Sequence, residues 1–184
     1  MLKKKMTIII YLIGKPGTGK YTIAQELAKH GYRICDNQLV NNPIFSLLNY
    51  DGFTPIPMFA WNAISGIRNS VFDFIISDSN NNYVFTNVLL EDEGDRKLFA
   101  QVEQVAIKRN SIFVPIKLLI SEKENIKRIQ NKDRLLRYKS IDVKDVYVDL
   151  MSISHDNLLE LDVSDLSAGK TAEKILLHVK NIVN

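Results

Sequence analysis

The stretch GKPGTGKYT, residues 14–22, decides the fold of this 184-residue chain. It follows a continuous apolar run, Met6–Ile13, and precedes apolar residues at helical spacing over Ile23–Ala28. Glycines let main-chain amides turn toward an anion, and the N-terminus of a helix attracts negative charge. Lys20 stands where its ammonium can neutralise phosphate oxygens. The stretch therefore indicates a phosphate-binding loop between a buried strand and a helix.

Tyr21 departs from the usual Walker A pattern, which has a Ser or Thr hydroxyl for magnesium at this step. Magnesium keeps several of its waters and need not contact the protein directly. Thr22 can still bond the α-phosphate. The sequence therefore predicts that the loop binds ATP with a largely water-coordinated Mg²⁺. The residues expected to contact the nucleotide are Gly14, Lys15, Pro16, Gly17, Thr18, Gly19, Lys20, Tyr21 and Thr22.

Composition is that of a soluble globular protein, with 46% hydrophobic and 24% charged residues. The net charge of +3 permits an anionic small ligand but does not call for nucleic acid, which demands a concentrated basic face. The lone Cys35 cannot form an internal disulfide, which favours a reducing, cytoplasmic location. The opening MLKKKMTIIIYLIG has too short an apolar run for a signal peptide and lacks a small-residue cleavage site. We expect no membrane partner.

Apolar runs alternate with helical periods, the pattern of a parallel sheet covered by helices. We expect one α/β domain over residues 1–184, with a bulge at Pro115 because proline removes a ladder donor. The further strands are predicted at Tyr32–Cys35, Tyr83–Thr86, Ile112–Leu119 and Leu158–Val163. Helices are predicted within residues 37–77, over Leu98–Ala106, from Ser121, near Val143–Met151 and over Ser167–Val183.

The loop resembles that of adenylate kinases, which read G-x-P-G-x-G-K-G-T and also lack the first hydroxyl. The order of elements is similar to the nucleoside-monophosphate-kinase-like group of P-loop kinases, which includes shikimate, gluconate and chloramphenicol kinases. The resemblance implies a five-stranded parallel sheet in the order 2-3-1-4-5. It also implies an acceptor-binding helical insert, here residues 37–77, and an arginine-bearing lid, here residues 127–142. ATP, Mg²⁺ and a small-molecule phosphoryl acceptor follow from the same resemblance.

Asp36 stands at the carboxyl end of the second predicted strand, where α/β sheets bind ligands. By resemblance to shikimate-kinase-like enzymes, it would orient the acceptor hydroxyl and hold the water shell of the metal. The alternative is an N-cap for the following helix. Asn37 would help to hold the acceptor. Arg68 resembles the arginine that binds the substrate anion in this group, although a solvated helix charge is an equal alternative.

The third predicted strand ends at Thr86 and Asn87, without the acid that a motor-type ATPase requires. Aromatic residues recur along the insert and are more often core than ligand platform. These aromatic residues are Phe45, Phe53, Phe59 and Trp61.

A basic stretch precedes the last predicted strand, and such runs are usually a solvated face. Its position matches the lid, where an arginine stays charged and can bond two oxygens of the transferring phosphoryl group. Arg134 and Arg137 are our choices for that role, with Arg128 next. The whole basic set is Lys127, Arg128, Lys132, Arg134, Arg137 and Lys139. After the last strand, the resemblance places Ser164, Asp165 and Leu166 near the adenine.

Together these features predict an ATP-dependent small-molecule kinase. The acceptor stays open among a nucleotide, a sugar, a shikimate-like acid and an antibiotic, as does the oligomeric state. A nucleotide-binding regulator with little turnover is the alternative, favoured by Tyr21 and by the missing acid on the third strand. Asp36 and the basic lid argue against it, because a protein that only binds nucleotide needs neither.

Overall fold

A computed structural model describes residues 6–52 and 54–184. Five strands alternate with helices along the chain. The strands are β1 (Ile8–Gly14), β2 (Tyr32–Asp36), β3 (Asn82–Asn87), β4 (Ile112–Leu119) and β5 (Leu159–Asp162). The helices are α1 (Lys20–Ala28), α2 (Asn37–Leu47), α3 (Met58–Ser77), α4 (Glu93–Arg109), α5 (Glu122–Ile129) and α6 (Ala168–Val183), with two short 3₁₀ helices at Lys132–Arg137 and Val143–Val146.

The strands form one parallel sheet in the order β2-β3-β1-β4-β5, which confirms the predicted fold class. β1 lies at the centre because both of its faces are apolar, and Ile9–Ile13 is fully buried. One face of the sheet packs against α3 and α4 through Tyr11 and Phe85. The other packs against α1 and α6 through Leu12 and Ile175.

Two local predictions were wrong. Pro115 causes no bulge, because the register of β4 with β1 runs unbroken from Ile8↔Ile112 to Gly14↔Leu118. Pro115 precedes the first β4–β5 pair, Ile116↔Leu159, so its missing donor falls where that ladder has not begun.

The helix expected near Val143–Met151 is only the 3₁₀ turn at Val143–Val146. The chain beyond that turn is extended, and Leu150 forms an isolated antiparallel bridge with Leu90. Backbone pairing with a distant segment therefore overrides the local helical pattern.

The topology brings the carboxyl ends of β1, β2 and β3 to one edge of the sheet. The loop 14–19 leaves β1 there and leads into α1, while β2 ends at Asp36. No helix within residues 6–52 and 54–184 has the length and apolar character to cross a membrane. Residues 1–5 lie outside the described residues, as does Phe53, one of the aromatic residues noted in the insert.

Candidate active site

The loop between β1 and α1 adopts a backbone that only glycine accommodates at two positions. Gly17 and Gly19 have φ angles of 92° and 84°. A Cβ on Gly17 would lie 2.3 Å from Asn125 Oδ1, so packing against α5 excludes any side chain there as well. Asn125 is 1% exposed. The predicted phosphate loop therefore packs closely against α5 at Gly17.

Lys20, the first residue of α1, folds back over this loop. Its Nζ donates to Gly14 O at 2.6 Å and to Lys15 O at 2.9 Å. Burial lowers the pKa of Lys20 to about 7, together with the positive charges of Arg134 and Lys139. An ammonium in this setting gains strongly from a nearby anion, since a phosphate would offset both the burial and the repulsion.

Asp36 is 5% exposed and uses its two carboxylate oxygens differently. Oδ1 caps α2 by accepting from the backbone N–H of Leu39 at 3.0 Å. Oδ2 accepts from Arg137 Nη2 at 3.2 Å, across 101 residues of sequence. Both interpretations of Asp36 thus have support in the geometry, because the cap occupies one oxygen and the other lies in the cleft.

Tyr21 contacts the predicted lid. The guanidinium carbon of Arg137 lies 3.4 Å from the centre of the Tyr21 ring, and Lys139 Nζ lies 5.0 Å from it. A cation over an aromatic face is held by the ring quadrupole. Tyr21, which stands in place of the usual loop hydroxyl, therefore stacks against Arg137 and joins the start of α1 to the predicted lid.

The predicted lid segment, residues 127–142, lines the cleft together with the loop. Arg134 Nε donates to Ser140 O at 2.9 Å, and burial lowers the pKa of Arg134 while Asp145 opposes that shift. Arg128 anchors the base of the lid by donating to Glu124 Oε1 at 2.8 Å and to the carbonyls of Val163 and Ser164. Outside the lid proper, Lys15 Nζ donates to Val146 O at 2.8 Å.

Asn37 belongs to a relay of buried side chains at the ends of β1 and β3. Tyr11 donates its hydroxyl to Asn87 Oδ1 at 3.1 Å, and Asn87 Nδ2 donates to Asn37 Oδ1 at 3.0 Å. The backbone N–H of Asn37 donates to Thr86 Oγ1 at 3.3 Å. The polar tip of β3, which carries no acid, therefore fixes the first turn of α2.

These groups line one cleft of about 620 Å³ above the carboxyl edge of the sheet. It brings together Lys20, Tyr21, Asp36 and Asn37 with Arg128, Arg134 and Arg137. A smaller cavity of about 290 Å³ lies beside the loop, between Thr18, Thr22, Arg128 and Leu166. Leu166, one of the residues expected near the adenine, lines this cavity. Ser164 contacts Ser121 and Arg128, and Asp165 follows it in the same loop.

Arg68 does not line the cleft. It is half-buried on α3, where burial lowers its pKa while Tyr11 and Asp95 act in the opposite direction. Of the aromatic residues in the insert, Phe45 is buried and lines the cleft. Trp61 packs edge-on against Phe45, with ring centres 6.2 Å apart, and Phe59 is exposed.

The carboxylates of the cleft fit Mg²⁺ only if the ion keeps most of its waters, as predicted from Tyr21. Within residues 6–52 and 54–184, no group of three or more His, Cys, Asp or Glu side chains could hold a metal. Asp36 and Asp133 are the carboxylates of the described chain that line the cleft. Since Mg²⁺ is commonly bound through one or two carboxylates plus substrate phosphates, Asp36 and a bound triphosphate would be sufficient.

Several cleft residues were not named by the sequence prediction, among them Gln38, Asn41, Tyr50 and Tyr138. Lys139 was visible only as part of the basic stretch. Burial, with the positive charge of Arg137, lowers its pKa to about 8. A signal for Asn41 did exist, because Asn37, Asn41 and Phe45 recur every four residues and share one face of a helix.

No protein-family model matches the sequence, and no curated protein matches it significantly. Solved structures do. A gluconokinase from Sinorhizobium meliloti is 11% identical, with coverage of 97% of this chain and 94% of that chain and a TM-score of 0.66. A sugar kinase from a Janibacter species is 14% identical, with 95% of each chain covered and a TM-score of 0.61.

A shikimate kinase from Acinetobacter baumannii, crystallised with shikimate, is 16% identical. The match covers 97% of this chain and 96% of that one, with a TM-score of 0.54. The similarity to these structures runs over almost the whole chain and agrees with the strand order seen here. The chain has the fold of the P-loop small-molecule kinases.

Proposed function

We propose that this chain is an ATP-dependent phosphotransferase, which moves the γ-phosphoryl group of ATP to a hydroxyl or phosphate of a small molecule. One observation carries the proposal. Lys20, Asp36, Arg134 and Arg137 come from three separate segments and line a single cleft over the loop of Gly17 and Gly19. Phosphoryl transfer needs positioning and charge stabilisation rather than covalent chemistry from the protein, and these residue types supply both.

The nucleotide end of the cleft is the loop and the start of α1. Backbone amides of residues 17–20 and the positive end of the α1 dipole would bind the β- and γ-phosphates. Lys20 would leave the carbonyls of Gly14 and Lys15 for a phosphate oxygen. Leu166 and Arg128 lie beside the loop, where they can contact the base and ribose.

The acceptor oxygen forms a bond with the γ-phosphorus, the bond from that phosphorus to the β–γ bridging oxygen breaks, and ADP leaves. For a hydroxyl acceptor, the proton passes to Asp36 Oδ2 and then to solvent. Oδ2 becomes available for this role when Arg137 turns from Asp36 to the transferring phosphoryl group. Oδ1 stays on the Leu39 amide and keeps the carboxylate in place.

Arg134 and Arg137 lie where they can stabilise the charge that spreads over the equatorial oxygens in the transition state. Mg²⁺, when bound, would be held through its waters by Asp36 and would neutralise part of the same charge. We assign residues 37–77 to acceptor binding and residues 127–142 to the lid.

A nucleotide-binding regulator with little turnover is the second candidate. The observation that favours it is the ion pair between Asp36 and Arg137, which engages the expected base with the expected catalytic arginine. In a regulator this pair would persist after ATP binds. In a kinase it breaks as the lid closes.

An ATP-consumption screen over a panel of metabolites and nucleosides separates the two candidates, with Lys20→Ala as the control. A kinase gives acceptor-dependent ADP release that Lys20→Ala abolishes. Binding of ATP with no acceptor-dependent release across the panel would favour the regulator instead.

A further inference from the structure

The first turns of α2 form one wall of the cleft, on the side away from the phosphate loop. Asn37, Gln38, Asn41 and Phe45 line it from positions that share one face of the helix. Three of these four side chains are uncharged amides. Such a wall offers both donors and acceptors of hydrogen bonds but no net charge.

The side-chain oxygens of two of these amides are buried without a hydrogen-bond partner in the part of the chain that the structure describes. Asn41 is 3% exposed, and no hydrogen bond reaches its Oδ1. The same is true of Gln38 Oε1. A buried polar atom without a partner costs free energy. A ligand that donates hydrogen bonds to this wall would satisfy both residues.

An aromatic surface lies at the far end of the same wall. The rings of Phe45 and Tyr50 pack with centres 4.8 Å apart, and Tyr138 joins the same apolar cluster. All three line the cleft. A ligand on this surface needs an apolar face, which a sugar ring presents through its C–H groups and a nucleoside also presents through its base.

The charged side chains that line the cleft come from three segments of the chain. The start of α1, the tip of β2 and the segment from Arg128 to Lys139 supply every charged side chain that lines the cleft in the described chain. Residues 37–52 and 54–77 supply uncharged residues only, Asn37, Gln38, Asn41, Phe45 and Tyr50. Arg68, the arginine expected to bind an acceptor anion, does not line the cleft. A carboxylate or phosphate against residues 37–52 and 54–77 would therefore have no positive partner from that side of the cleft.

From these observations we infer that the acceptor is a neutral cyclic polyol, either a free sugar or the sugar of a nucleoside. This inference rests on the proposed kinase function. One hydroxyl receives the phosphoryl group near Asp36, and its proton leaves through that carboxylate. The remaining hydroxyls donate to Gln38 and Asn41, while the ring lies against Phe45 and Tyr50.

Matched pairs of neutral and anionic compounds test the inference by direct binding. We would titrate glucose, ribose, adenosine and uridine into the full chain in the presence of ADP. Their counterparts are gluconate, ribose 5-phosphate, AMP and UMP. At least one neutral compound should bind, and its anionic counterpart should bind about ten-fold or more weakly. Binding confined to anionic compounds, or no binding by any neutral compound, would overturn the inference. The pairs also separate a free sugar from a nucleoside.

Asn41→Leu tests the wall itself. It should weaken binding of the neutral compound about ten-fold, through loss of a hydrogen bond, and leave ATP binding unchanged. Its melting temperature should not fall, because an unpartnered buried amide is replaced by an apolar side chain of similar size. Gln38→Leu provides a second variant. Asn69→Leu, on the exposed surface of α3, is the matched control and should alter neither measurement.

An unchanged affinity in both Asn41→Leu and Gln38→Leu would contradict the role of the wall. The outcome also separates this inference from the proposed function. A neutral compound that binds but is never phosphorylated would contradict the kinase and leave the ligand class intact. Phosphoryl transfer to an anionic acceptor alone would support the kinase and contradict the neutral ligand class.

Discussion

Single residues in this cleft have lowered pKa values that a bound phosphate would raise again. Lys20 is the clearest example, since burial and two neighbouring cations lower its pKa to about 7. An unperturbed lysine stays charged far above that pH. The sequence identified Lys20 by its place in the loop, but its pKa depends on Arg134 and Lys139, which come from the other end of the chain.

Binding of ATP should therefore be coupled to proton uptake by Lys20. Below about pH 7 the ammonium is already present, so the affinity is insensitive to this group. As the pH rises above 7, the free protein loses the proton and each binding event must restore it. The Kd should then rise with pH, by at most about ten-fold per pH unit.

Calorimetry between pH 7.5 and 9.5, in buffers of different ionisation enthalpy, measures this uptake directly. Lys139→Ala is the control, because the pKa of Lys139 is lowered to about 8. Proton uptake that persists in Lys139→Ala, displaced to higher pH because the Lys139 charge is gone, identifies Lys20. A pH-independent affinity of the unaltered chain would show that Lys20 is charged before ATP arrives.

At the scale of elements, the phosphate loop and the lid are joined by a contact that the sequence did not reveal. Tyr21 was recognised as a missing hydroxyl, and Arg137 as a lid arginine. Their stacking at 3.4 Å, and the ion pair of Arg137 with Asp36, join residues about a hundred positions apart in the chain. Local pattern carries no information on such pairs, because they depend on how the lid packs.

Tyr21→Ser should show that Tyr21 matters little for ATP binding and more for the orientation of Arg137. ATP affinity should stay within a few-fold, since the backbone amides and Lys20 are untouched. Turnover should fall roughly 5- to 30-fold, because a cation–aromatic contact worth about 1–2 kcal/mol no longer orients Arg137. Tyr21→Phe keeps the ring and should retain normal turnover. Steady-state kinetics with ATP titrations measure both effects, and an affinity loss as large as that of Lys20→Ala would refute this division.

The lid arginines themselves should carry a larger effect. Arg134→Ala or Arg137→Ala should lower kcat by roughly 10³-fold or more if that residue stabilises the transferring phosphoryl group. Arg33→Ala, which removes an exposed arginine paired with Asp78, is the matched control and should be silent. Normal rates in both lid variants would remove the lid from the mechanism.

At the scale of the whole molecule, the sheet was predictable and the cleft only partly so. The apolar run of β1 and the alternation of elements indicated the α/β class, and the resemblance supplied the strand order. Those features depend on local pattern and a few topological rules. The non-helical chain after Val146, the position of Arg68 outside the cleft and the missing partner of Asn41 Oδ1 depend on tertiary packing, which local pattern does not encode.

The central claim is that backbone amides of residues 17–20, together with Lys20, hold a triphosphate at the start of α1. A crystal structure of the chain with a non-hydrolysable ATP analogue tests it most directly. We predict phosphate oxygens within hydrogen-bond distance of those amides, and Lys20 Nζ moved from Gly14 O to a phosphate. A triphosphate bound elsewhere, or Lys20 still on the carbonyls of Gly14 and Lys15 beside a bound analogue, would contradict the account.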